Sequence, residues 1–169
     1  MNGKKSIFSV LTVDHEGVLM RVTSLFSRRG FNIESLIACH TQDPAFARWT
    51  VVVTGDEATF TQFTRQLLKL EDAIKVEQLE PEKCIQTEVL LVKIATAGQP
   101  AQALKLVQAQ GGRVLDIGKT TITVEFTGQS DMVDRVVEQM ETLGIVEMAR
   151  TGMTALERGD TTIHADMNL

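Results

Sequence analysis

Between residues 14 and 19 the chain reads Asp14-His15-Glu16-Gly17-Val18-Leu19, a set of side chains and backbone able to hold opposite charges side by side. Gly17 has no Cβ, so a ligand can approach its backbone closely, and the amides that follow it are unpaired donors if a helix starts there. Such amides suit a carboxylate. Asp14 offers oxygens to a cation, and Asn32, further along, carries both donor and acceptor atoms. Together they describe a site for a zwitterionic amino acid. A plainer reading stands beside it on spacing alone: Asp14 caps the helix and Gly17 shapes the turn.

Such a site needs a strand before it and a helix after it, and the hydrophobic period supplies both. Ile7, Phe8, Val10, Leu11 and Val13 read as a half-buried strand. Val18, Leu19, Val22, Leu25 and Phe26 share one face of a helix. Arg28 and Arg29 suit its last turn, and Gly30 the left-handed position that ends it. Residues 36–39 and 49–53 predict two strands around an Asp43-Pro44 turn. Asp56 is expected to cap a second helix presenting Phe60, Phe63, Leu67 and Leu70, before a fourth strand of Ile74, Val76 and Leu79.

The second half repeats this order. A strand is expected at 89–94 and a helix at 101–107, stopped by Gly111-Gly112. A hairpin of 114–117 and 122–126 turns at Gly118. Asp131 then caps a helix burying Val133, Val136, Val137 and Met140, and Ile145, Val146 and Met148 form the last strand. The class is α+β: two ferredoxin-like βαββαβ domains, each a four-stranded antiparallel sheet with two helices on one face. The boundaries read as 1–80, a linker at 81–86, a second domain at 87–158 and an aperiodic tail at 159–169 that is expected to fray. Each sheet is expected to leave one face uncovered, with Lys93 pointing to it, and a second copy of the chain is expected to cover it.

Composition agrees with two domains of roughly 80 residues. The chain has 169 residues, 43% apolar and 23% charged, with a formal net charge of −5. No basic stripe is present, so no nucleic-acid partner is expected. Apolar runs such as 89–92 fall far short of the roughly 20 residues of a membrane span. No apolar signal core or Arg/Ser-rich leader precedes the first strand, so a cytoplasmic location is expected. Cys39 and Cys84 form no CxxC and read as reduced, partly buried thiols. His15, His40 and His164 are scattered and read as surface histidines without a metal. Arg21, Arg28 and Arg29 read as a solvated cluster, and Met132, Met140, Met148 and Met153 as core and interface filler.

The segment Asp14 to Leu19, with Arg21-Val22 and the run Leu25-Phe26-Ser27-Arg28-Arg29-Gly30-Phe31-Asn32-Ile33-Glu34-Ser35-Leu36, resembles the small, regulatory subunit of acetolactate synthase. The likeness continues at Thr41-Gln42-Asp43-Pro44, Arg48-Trp49-Thr50, residues 66–70, residues 88–94, Glu147 to Gly152 and Leu156-Glu157-Arg158-Gly159, nearly the whole chain up to the tail. That family opens with an ACT domain, an amino-acid-sensing ferredoxin-like module. The resemblance implies a homodimer through ACT domains and no catalysis by this chain. It also implies a large catalytic partner that carries thiamine diphosphate, magnesium and FAD, while this subunit carries no cofactor and no metal. The partner condenses pyruvate with pyruvate or 2-oxobutyrate in valine, leucine and isoleucine synthesis. The small subunit raises its activity, and valine or another branched-chain amino acid reverses this.

The effector residues so implied are Asp14, Glu16, Gly17, Val18 and Leu19 of one protomer, with Cys39, facing Asn32 and Ile33 of the other. The sequence departs from the family pattern at Asp14, where Asn is common, at Cys39, where a small or apolar residue is usual, and at His40, where Pro is common. Asp14 should still hold an ammonium, but it repels a carboxylate that comes too near.

Two other readings follow the same fold. Acylphosphatases use one βαββαβ unit with a phosphate-cradling loop, an Arg and an Asn, for which Arg21 and Asn32 would serve. A stand-alone ACT sensor lacks the second-half likeness at 91–94 and Arg150-Thr151-Gly152.

Overall fold

The computed structural model describes residues 3–96, 98 and 100–164. Its elements run β1 (Lys4–Val13), α1 (Val18–Arg29), β2 (Asn32–His40), β3 (Phe46–Gly55), α2 (Glu57–Leu67), β4 (Ala73–Leu79), β5 (Cys84–Ala95), α3 (Pro100–Ala109), β6 (Arg113–Ile117), β7 (Thr121–Gly128), α4 (Ser130–Glu141), β8 (Ile145–Arg150) and β9 (Thr154–Glu157). Strand orders β2-β3-β1-β4 and β6-β7-β5-β8 with antiparallel pairing make two ferredoxin-like sheets, the α+β architecture expected.

The chain divides into one compact unit of Met1–Gln86 with Met153–Leu169 and another of Thr87–Gly152. In the first, Phe8 and Val10 of β1, Trp49, Val51 and Val53 of β3, and the apolar stripes of α1 and α2 form one core. Phe63 sits at its centre, with ring centroids 4.6 Å from Phe8 and 5.2 Å from both Phe26 and Phe31. The helix ends follow their local chemistry. Gly30 adopts φ 66° beyond α1, and the Asp56 side chain accepts from the Thr59 amide at 2.8 Å at the start of α2. Hydrogen bonds from the Thr59 hydroxyl and amide hold the Asp56 carboxyl below its usual range.

Four expectations are corrected. The opening strand is buried on both faces over residues 6–12, because Ile7, Val52 and Leu79 pack on Cys84, Met153 and Ala155. The outer face of this sheet is therefore covered by the chain itself, and no second copy is needed there. Residues 153–158 belong to this first unit, and not to a domain running 87–158. The tail does not begin as frayed chain: the Ile163 side chain is 1% exposed, while residues 165–169 lie outside the described residues. Part of the expected linker is structured, with a single 3-10 turn at Pro81–Lys83 and β5 beginning at Cys84.

The second unit packs Leu90, Val92 and Ile94 of β5 and Ile122, Val124 and Phe126 of β7 against α3 and α4. Asp131 does not cap α4; Gln129 stands at the cap without a side-chain bond, and Asp131 lies 3.4 Å from Arg135 one turn on. Buried Glu88 is held by Arg150, which also donates to Asp134 at 2.7 Å. These partners keep the guanidinium pKa raised although burial opposes it. On the outer face of this sheet Lys93 pairs with Glu147 at 3.4 Å, and Leu91 stays 41% exposed, as expected for an uncovered face.

Candidate ligand pocket of the N-terminal unit

The loop between β1 and α1 is fixed at both sides. The Asp14 amide donates to the Ala45 carbonyl at 2.8 Å, and the Val13 amide to that of Asp72 at 3.0 Å. Gly17 then turns the chain into α1 with φ 87°, a left-handed conformation that side-chain-bearing residues rarely adopt. The helix begins with no capping side chain and no acidic residue in its first turn. Its first amides and the positive end of its dipole are thus left uncompensated by side chains, the condition under which an anion binds. Asp14 is not the cap. Its Oδ2 lies 2.5 Å from Nδ1 of His40, at the end of β2.

A pocket of about 450 Å³ opens here. Val18, Ala38, Ala47 and Trp49 give it apolar surface, and Asp14, His15, Cys39 and His40 give it polar rim, with Gly17 and Leu19 at the helix start. The Trp49 indole donates its N–H to the buried Thr12 hydroxyl at 2.9 Å. Its only polar atom is thereby satisfied away from any ligand, and the ring is held as a fixed wall.

Behind the loop, Arg21 grips Asp72 bidentately, Nε to Oδ2 at 2.6 Å and Nη2 to Oδ1 at 3.0 Å. His15 Nε2 lies 3.0 Å from the same Oδ1, with its Nδ1 3.0 Å from the Glu16 carbonyl. The Asp72 side chain is only 9% exposed. The Arg21 hydrogen bond holds the Asp72 carboxyl below the usual carboxylate range, against burial, and raises Arg21 in turn. Arg21 is consequently a structural partner of the α2–β4 loop and not part of a solvated cluster.

Of the residues singled out in the sequence, the pocket brings together Asp14, Gly17, Val18, Leu19 and Cys39. Glu16 is exposed and lies outside its lining. Asn32 and Ile33 pair with Thr54 and Val53, whereas Cys39 and His40, at the other end of β2, pair with Arg48 and Ala47. A single protomer cannot place Asn32 and Ile33 in this pocket. The thiols differ more than expected: Cys39 is exposed, and Cys84 is 2% exposed, with burial pushing its pKa up. His40, Ala47 and Trp49 line the pocket without having been assigned to it, because only the β2–β3 register carries them there.

Arg21 and Asn32 do not converge, and Arg21 is already occupied, so the loop is not an acyl-phosphate cradle. Among the described residues no three His, Cys, Asp or Glu side chains gather in a way that could hold a metal ion. No described helix is long and apolar enough to cross a membrane.

A pair of βαββαβ units, the first with a ligand-sized pocket at its β1–α1 loop, defines a two-domain α+β protein of ferredoxin-like units. Comparison with known proteins narrows this. Residues 8–75 match the family described as the AHAS small subunit-like ACT domain, and residues 87–159 match the small subunit of acetolactate synthase. The chain is 39% identical over 159 residues to the probable acetolactate synthase small subunit of Methanothermobacter thermautotrophicus, covering 93% of this chain and 95% of that one. It is 37% identical to the acetolactate synthase isozyme 3 small subunit of Escherichia coli, over 92% of this chain and 97% of that one. The crystal structure of the acetolactate synthase small subunit from Thermotoga maritima superposes with a TM-score of 0.87 at 29% identity, covering 94% and 99% of the two chains. The chain belongs to the acetolactate synthase small subunit family, with an N-terminal ACT domain.

Proposed function

We propose that this chain activates a separate, thiamine-diphosphate-dependent acetolactate synthase catalytic subunit and makes it sensitive to feedback inhibition by valine or another branched-chain amino acid. It performs no chemistry itself. Thiamine diphosphate, magnesium and FAD reside in the catalytic partner. The observation that carries the effector half of this reading is the pairing, in one pocket, of the uncapped helix start at Gly17 with the Asp14 carboxylate over apolar Val18, Ala38, Ala47 and Trp49. Amides at the helix start receive the carboxylate, Asp14 receives the ammonium, and the apolar wall receives a branched side chain. Asn32 and Ile33 complete the site from a second protomer, which makes the binding species a homodimer.

Binding must distinguish an activating from a non-activating state, a coupling of about 1–3 kcal/mol. The test is reconstitution. The isolated chain forms no acetolactate, a saturating amount raises the activity of the catalytic subunit, and valine, leucine or isoleucine lowers it again. An unchanged activity and an unchanged response to all three amino acids would dismiss the assignment.

A further inference from the structure

The Asp14 carboxylate faces the candidate pocket with a neighbour of its own. Its side chain is 27% exposed and its Oδ2 is 2.5 Å from Nδ1 of His40, whose side chain is 82% exposed. Both line the pocket, Asp14 from the β1–α1 loop and His40 from the end of β2. Among the described residues only Oδ2 of Asp14 is engaged by a side chain, which leaves Oδ1 for a ligand donor. The contact therefore does not block the carboxylate; it sets how much net charge the carboxylate offers.

We propose that His40 belongs to the effector site and tunes it by pH, with the effector's ammonium and a protonated His40 competing for the single negative charge of Asp14. This rests on the reading of the pocket as an amino-acid site. When His40 is neutral, the pair carries one negative charge and an ammonium at Oδ1 meets it in full. When His40 is protonated, the pair is neutral, and a second cation placed beside it is no longer favoured. Histidine is the side chain whose ordinary charge change falls between about pH 5 and 8. A free amino acid keeps both its own charges across that range, and the effect is carried by the protein.

The other titratable groups at this pocket are His15 and Cys39. His15 is directed away from Asp14 into the Asp72 carboxylate, which Arg21 already neutralises. The Cys39 thiol is 3.7 Å from the Arg48 carbonyl, to which it donates. The Asp14–His40 pair is thus, among the described residues, the contact in which a histidine engages the carboxylate that faces the pocket.

The experiment is calorimetric titration of the full chain with valine between pH 5.5 and 8 at low salt, on the wild type, His40→Gln, Asp14→Asn and His15→Gln. Wild-type affinity should strengthen about threefold to tenfold across that range, as expected for one charge at a partly exposed site. His40→Gln should bind at pH 5.5 as well as it does at pH 8. His15→Gln should keep the wild-type dependence, and Asp14→Asn, which has no charge for the two cations to share, should lose it. Wild-type binding that does not change with pH, or a dependence that survives in His40→Gln, overturns the proposal while leaving the pocket's role intact. Absence of valine, leucine and isoleucine binding at every pH overturns the site reading and the proposal with it.

Discussion

Arg48 and Ala155, 107 residues apart, are joined by a hydrogen bond of 3.0 Å from the guanidinium Nη2 to the backbone carbonyl. Arg48 stands between Ala47 and Trp49, which line the pocket, and strand alternation sends its side chain to the opposite face of the sheet. One strand thereby carries the pocket wall on one side and an anchor for β9 on the other. Burial lowers the Arg48 pKa, partly offset by nearby Glu77.

The returning segment contributes to the stability of the first unit. Ile163 is 1% exposed, so Ile163→Ala is expected to cost about 2–4 kcal/mol through lost burial and the cavity left behind. Thermal or urea unfolding of the full chain reads this directly. A change below about 0.5 kcal/mol, the level of an ordinary surface substitution, would mean that the segment does not pack as described.

What was legible in the sequence, and what was not, follows from the reach of each interaction. The element order came from local period, and the Asp56 cap and the Gly30 stop from neighbours a few residues away. The β9 return leaves no signal in the sequence because Thr154–Glu157 is four residues with only Ala155 buried, too short for alternation to register. The pairing of Arg21 with Asp72 spans 51 residues and that of Asp14 with His40 spans 26; spacing within an element says nothing about either. Spacing alone reads Asp14 as a helix cap as well, and only the register of β2 on β3 brings His40 to it. Ile33 is tied to the site by family likeness alone and Asn32 by its donor and acceptor atoms as well, and the strand places both at its far end.

The Arg21–Asp72 pair predicts an acid-dependent loss of stability. The folded Asp72 carboxyl titrates below its ordinary value of 3.8, so its contribution is fully present above that pH and disappears as the pH falls through the lower, folded value. Asp72→Asn should therefore melt below wild type at pH 7, and the gap between the two should narrow steadily below about pH 4. Melting curves at matched ionic strength check this; a gap that stays constant down to pH 2.5 would place the effect of the substitution elsewhere.

In the second unit, Gly112 is a packing glycine. A Cβ there would sit 2.6 Å from Cε1 of Phe126 and 2.8 Å from Cγ1 of Val107, both core side chains. Gly112→Ala should cost about 1–3 kcal/mol by overpacking. Neighbouring Gly111 has φ 72° and open space around its Cβ position, so Gly111→Ala should act through backbone strain alone. Combining Gly112→Ala with Val107→Ala should recover less than additive loss, since each relieves part of what the other causes. Strict additivity in the unfolding free energies would show that the contact is not the cause.

At Gly17 two penalties meet. The φ of 87° disfavours any side chain, and a Cβ would lie 3.1 Å from Nη1 of Arg21, which is itself committed to Asp72. Gly17→Ala should cost about 1–2 kcal/mol of stability from the left-handed backbone, leaving the domain folded. Gly17→Asp adds a negative charge where the effector carboxylate is expected, so valine affinity should fall by more than tenfold, a loss above about 1.4 kcal/mol. Asn32→Ala should weaken valine inhibition through the partner protomer's contribution. Activation of the catalytic subunit should persist in both, because neither Gly17 nor Asn32 is buried in the core of the first unit. The decisive measurement is activity with and without valine at saturating small subunit. If activation and inhibition were lost in parallel, Gly17 and Asn32 would serve assembly with the catalytic partner and the effector would have to bind elsewhere.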